Sequence, residues 1–334
     1  MRRSVRRTLL RTAWNAALLL IAVAITLQLL GWFVLQPLLV ARGDRLATTI
    51  IATMDVPIMT TPGAELTEIR SHPGILRRTT ETSFDRFVGS RSTHLGSLTT
   101  RLGPIGTSTP YTSWPALSHG SLHGSDGSRV GPVDQSPVPF EPDRLAAGTA
   151  VTVQVAWDTP IARPDAQAIA GTSDEVALLW VGFEVPGTPQ VPFDESDSLA
   201  PVGAALGYSA CGTIARVPLD YPRLGGFGSS GGFRDREVAG NGVEHALDQL
   251  RRATTNLAAA DWPDGQRSDA DLPDPMATAD AMRTGDPQVT SLVVTGPLDE
   301  VAAVVAAADA DPTSLADAYL YEIDVDRGAP DPCG

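Results

Sequence analysis

From Val151 to Trp157 the chain alternates, and the alternation places Val151, Val153, Val155 and Trp157 on one face of a strand. Glu175–Val185 is instead a nearly continuous apolar run between Asp174 and Pro186, the pattern of a strand buried on both faces. Between them, Pro164–Ala170 predicts one short helix. The plan recurs near the C-terminus, with a strand over Gln288–Thr295, a helix over Pro297–Ala308 and a strand over Ala318–Val325. In that second helix Pro297 suits the first helical position, and Asp299 and Glu300 complement the positive helix start. Leu298, Val301, Ala302, Val305 and Ala308 share one face. A further helix is marked by Asn241 as N-cap with Glu244 three residues on, and by the apolar stripe Val243, Leu247, Leu250 and Leu257.

Two strand–helix–strand units predict an α+β sandwich. Its plan resembles a ferredoxin-like sheet over residues 150–327, with a long insertion at 186–287 between the halves and a short tail at 328–334. One tension follows. In that topology the Glu175–Val185 strand is an edge, yet it is the most apolar of the four, so the insertion is expected to cover it. Residues 42–149 lack sustained periodicity, and Gly103–Pro142 is crowded with Gly, Ser, Thr and Pro, which predicts an irregular, strand-poor segment.

Ahead of that segment, Thr12–Ala41 runs for 30 residues without a charge. At about 1.5 Å per residue this exceeds the roughly 30 Å of a bilayer's hydrocarbon core, so the stretch is long enough for a transmembrane helix. Trp14 and Trp32 would sit at the two headgroup boundaries, with Arg11 and Arg42 flanking them as interface anchors. Arg2, Arg3, Arg6, Arg7 and Arg11 precede the run, against Arg42 and Arg45 offset by Asp44 after it. The positive-inside bias therefore predicts a cytoplasmic tail of residues 1–11 and an extracytoplasmic bulk. A cleaved signal peptide needs a shorter apolar core and a small-residue cleavage site, which Val40-Ala41-Arg42 matches poorly.

Charge sharpens this picture. The 334 residues carry a net charge of −14, and every basic residue is an arginine. Residues 42–149 are neutral, so the acidic excess lies in residues 150–334. An acidic half without a basic stripe excludes nucleic acid as the expected partner. Cys211 and Cys333 are the only cysteines. On the oxidising side of a membrane the expected reading is a disulfide, closing a loop of about 120 residues worth roughly 4 to 5 kcal/mol in the chain-entropy model. Two free thiols are the alternative.

Catalytic patterns are weak. Gly226–Gly231 fits GxGxxG and Gly228–Gly232 fits GxSxG around Ser230, but no strand feeds either match and local glycine abundance accounts for both. An exported serine hydrolase would pair Ser230 with His245, which falls on the flank of a helix. His119 and His123, with Asp126, lie among glycines that disfavour the helix a shared metal would require. The acids Asp194, Glu195 and Asp197, and Asp269, Asp271 and Asp274, miss the spacing of a calcium loop. No cofactor, metal or catalytic residue is therefore expected.

An Arg-flanked span running into Gly43-Asp44-Arg45, a strand opening a βαβ unit, and Val293-Val294-Thr295-Gly296-Pro297-Leu298-Asp299-Glu300-Val301 follow one another in an order that resembles the sigma factor regulator family. These are transmembrane anti-sigma proteins. Arg6–Arg45 looks like the start of the family's membrane region, and Val151–Phe183 and Gln288–Asp324 like the beginning and end of its C-terminal domain. The resemblance implies regulation of an extracytoplasmic-function sigma factor, with no catalytic residues to carry over. Family members hold their sigma factor with a cytoplasmic segment, for which only Met1–Arg11 is available here. Either the gene starts further upstream, or the protein works through a membrane or sigma/anti-sigma partner. A structural envelope protein with no signal to relay is the remaining alternative.

Overall fold

A computed structural model describes residues 14–15, 17–23, 25–26, 29, 51–52, 54–73, 78–88, 91–102, 107–108, 121–123, 138–185, 205–210, 215–218, 233–236, 242–260, 275–310 and 313–319. The described residues between 14 and 29 are helical (α1), as are 51–52 and 54–60 (α2). Three long strands follow, β1 (Glu65–Pro73), β2 (Arg78–Val88) and β3 (Arg91–Leu102), then three short ones, β4 (Thr107–Ser108), β5 (Ser121–His123) and β6 (Val138–Pro139). After a 3-10 turn at Pro142–Arg144 come β7 (Ala150–Ile161), α3 (Arg163–Ala170) and β8 (Ala177–Glu184). The insertion contributes β9 (Ala205–Ser209), β10 (Ala215–Pro218), β11 (Phe233–Arg236), α4 (Val243–Ala259) and α5 (Pro275–Thr284). The chain then forms β12 (Val289–Pro297), α6 (Leu298–Ala308) and β13 (Thr313–Tyr319).

The fold is α+β. The main sheet runs β5-β13-β7-β12-β8-β9, with β6 also on β13, and β7, β12, β8 and β13 pair antiparallel. The alternation of β7 holds: Val151, Val153 and Val155 are fully buried, and Trp157 packs beside them with its indole N–H on the Ala308 carbonyl at 3.1 Å. That carbonyl is one of the four that the end of α6 leaves without a helical partner, so the sheet caps the helix that packs on it. Helix α3 touches both α4 and α6, the three form one layer on this face, and the predicted stripe of α4, Val243, Leu247, Leu250 and Leu257, is buried against it.

The apolar strand β8 is not left at an edge. Strand β9 of the insertion pairs antiparallel with it, Trp180 opposite Ser209 and Val181 opposite Tyr208, so both faces and both edges of β8 are covered. This resolves the tension between its composition and its place in the topology.

Residues 64–102 correct the expectation of an irregular, strand-poor segment, while most of Gly103–Pro142 lies outside the described residues. β1, β2 and β3 form an antiparallel meander with β4 at its end. Its β-propensity is carried by threonines, Thr79, Thr80 and Thr82 on β2 and Thr93, Thr99 and Thr100 on β3, rather than by alternating apolar residues. A sheet with polar residues on both faces has little hydrophobic period to detect. Smaller differences concern boundaries. β13 begins at Thr313, five residues before the expected strand, whose end at 320–325 lies outside the described residues. Pro297 precedes the first turn of α6 as its N-cap.

Candidate functional site

A group of buried polar side chains lies where α2 and the start of β1 meet the main sheet. Asp55 is the one charged residue between Arg45 and Glu65, and from residue 54 to 59 every residue is buried, so the helix must be covered all round. A carboxyl in such a place requires hydrogen-bond partners. Asp55, with no exposed surface, accepts from the Tyr208 hydroxyl of β9 at 2.7 Å. Ten residues on, Glu65 accepts from the hydroxyl of the adjacent β9 residue, Ser209, at 2.5 Å, and is 2% exposed. Burial pushes the Glu65 carboxyl up to about 8, while the Ser209 hydrogen bond pulls it the other way.

Between these contacts the sheet closes the end of α2. The Trp180 indole N–H of β8 donates to the Ile58 carbonyl at 2.8 Å, Thr61 N–H donates to the Pro57 carbonyl at 2.9 Å, and Arg86 of β2 donates to the Pro62 carbonyl through Nε at 3.2 Å and Nη2 at 2.9 Å. The chain turns through Gly63 at φ +75°, where a Cβ would lie 3.1 Å from Val293 Cγ1 and 3.3 Å from Arg86 Nε. Both the backbone angle and the space favour glycine. Trp180 itself lies where a side chain at residue 207 would be, since a Cβ on Gly207 would fall 1.9 Å from the indole.

Across the meander, Glu65 is the register partner of Asp85 on β2, and Asp85 that of His94 on β3. Residues directly opposite share a face. His94 Nδ1 lies 2.9 Å from Asp85 Oδ1, and the imidazole is exposed. A row of three titratable groups thus runs from solvent to the buried Glu65.

Glu65 and Ser209 have the groups of an acid–base pair, but each is about 2% exposed, so neither meets a substrate in this arrangement. Among the described residues no set of three His, Cys, Asp or Glu side chains is placed to hold a metal. His245 sits on α4 with its Nε2 at 3.5 Å from Gln249 Nε2. Its suggested partner Ser230 lies outside the described residues, as do His119, Asp126, Asp194, Glu195, Asp197, Asp269, Asp271, Asp274, Cys211, Cys333, Asn241, Arg11, Trp32 and Arg42. His123 ends β5. Trp14 is helical and 67% exposed. No helix among the described residues is long and apolar enough to cross a membrane, and most of the ends of the 12–41 stretch lie outside them.

Sequence patterning did not single out Asp55, Glu65, Tyr208 or Ser209. The readable signal was Asp55, the one charged residue between Arg45 and Glu65. Compared with family models, curated proteins and solved structures, the chain matches none.

Proposed function

We propose that the protein is a single-pass, N-in membrane protein whose extracytoplasmic domain, a ferredoxin-like sandwich with a long insertion, binds or senses a signal and regulates an extracytoplasmic-function sigma factor through partner proteins. The observation that carries the reading is a contrast in apolar exposure. Along α1, Trp14, Leu19 and Leu20 are 67%, 67% and 68% exposed, and Leu18, Ile21, Val23, Ile25 and Leu29 are also exposed, whereas every residue from 54 to 59 of α2 is buried. Such an array of aliphatic side chains suits lipid better than water. The strand order β13-β7-β12-β8 with α3 and α6 on one face supports the ferredoxin-like reading. The clamp of α2 on β8 and β9 supports relay, because a helix held on both strands moves with them.

Two experiments test this. In intact cells the bulk of the chain should be cut by added protease while residues 1–11 are protected. Purification from membranes in mild detergent should recover a sigma factor or a membrane partner. Recovery of neither, or a freely soluble chain starting near Arg42, overturns the proposal. Replacing residues 1–11 and supplying another anchor should abolish regulation, which a scaffold would not notice.

A further inference from the structure

We propose that Asp55, Glu65, Tyr208 and Ser209 form a proton-operated latch: with the Glu65 carboxyl neutral, the α2–β1 junction is clamped on β9, and loss of that proton to water releases the clamp. The geometry is that of a two-point fastening. Two carboxyls from one short stretch of chain engage two consecutive residues of one strand, Tyr208 at 2.7 Å and Ser209 at 2.5 Å. Among the described residues β9 pairs with β8 at the end of the main sheet's strand order, and Tyr208 and Ser209 are where the α2–β1 junction docks on it. A terminal strand from an insertion is the part of a sheet that opens most readily.

The surroundings favour the neutral acid. From α2 the neighbouring titratable group is Asp55, and from β2 it is Asp85, whose carboxylate lies against His94 of β3. Tyr208 is the titratable group of β9, and β10, which also touches β1, carries Arg216. Arg86 is the buried cation of β2, and its Nε and Nη2 are given to the Pro62 carbonyl. Ionised Glu65 would be a carboxylate in a nearly dry site held by the Ser209 hydroxyl, and opening the junction to water is its relief. Burial accordingly holds the Glu65 proton up to about 8. The latch is a property of the domain. It rests on the proposed membrane reading only in making the sensed protons extracytoplasmic.

The test is amide deuterium exchange on the full-length chain in detergent micelles at about pH 6 and about pH 9, corrected for intrinsic exchange. Protection over 206–210 and over α2 should fall roughly ten-fold or more at the higher pH, while α4 and α6 keep theirs. Glu65→Gln, which cannot ionise, should remove the response. Ser209→Ala should keep it but move its midpoint to higher pH, because the hydroxyl that favours the carboxylate is gone. Flat protection in the wild type, or an unchanged response in Glu65→Gln, overturns the latch. If Glu65→Gln fails to fold, an unmoved midpoint in Ser209→Ala overturns it instead. A chain that proves soluble or partnerless leaves these results intact, so the two proposals fail separately.

Discussion

The two faces of the main sheet are covered by different means. On one, α3, α4 and α6 pack through aliphatic side chains, and Trp157 caps α6 at Ala308. On the other, α2 and β2 add polar fastenings to the apolar packing of Val56, Ile58, Met59 and Phe84: Trp180 caps α2 at Ile58, the Thr152 hydroxyl donates to the Phe87 carbonyl at 2.7 Å, and Glu65 accepts from Ser209 of β9. Each face uses a tryptophan of the sheet to satisfy the carbonyl end of a helix. Burial of apolar area does not respond to protons, whereas the second face contains a group whose charge changes near neutral pH. One sheet therefore joins a constant side to an adjustable side.

The strongest way to break the contrast is steric. Gly207→Val puts a branched side chain where the Trp180 indole lies and should cost on the order of 5 kcal/mol in denaturant unfolding, by ejecting the indole from Ile58. In a double-mutant cycle Trp180→Ala should cost much less in the Gly207→Val background than in the wild type.

Protonation is the next largest lever. Glu65 binds its proton more tightly folded than unfolded, so its contribution is present in full below about pH 4.5 and is lost as pH rises to about 8. The unfolding free energy of wild type relative to Glu65→Gln should fall across that window by on the order of 4 kcal/mol, a difference that cancels the other acids. A flat difference would put both faces in the same class. On the aliphatic side Leu250→Ala, at a fully buried position of α4, should cost about 3 kcal/mol, equally at both ends of that window.

The same contrast explains what could be read from the sequence. The aliphatic face was legible because β7 alternates and α4 and α6 carry stripes at helical spacing, and burial of Val151, Val153, Val155, Leu247 and Leu250 follows from those patterns. The cover of β8 was legible as a need without its source, since the strand was too apolar for an edge. The polar face was not legible. Threonine strands such as β2 and β3 have no hydrophobic period, and hydrogen bonds such as Asp55 to Tyr208 join residues 153 positions apart, a separation that no local pattern encodes.

The smallest predicted effect tests whether the two faces are independent. The N-terminus of α4 is capped from α3, where Gln167 Oε1 accepts the Val243 N–H at 2.8 Å. Gly242 makes room for it, because at φ +94° a Cβ there would lie 2.5 Å from that oxygen. Gln167→Ala should therefore cost about 1 kcal/mol, the usual loss for one helix cap, with protection lost in the first turn of α4. Gly242→Ala should cost more, because it adds the strain of a side chain in the left-handed region to the displaced cap. Neither change removes a group that titrates near neutral pH, so the pH response of α2 and β9 should survive both. If Gln167→Ala shifts that response, α4, which packs on β9, transmits its own stability to the polar face, and the aliphatic layer is part of the latch.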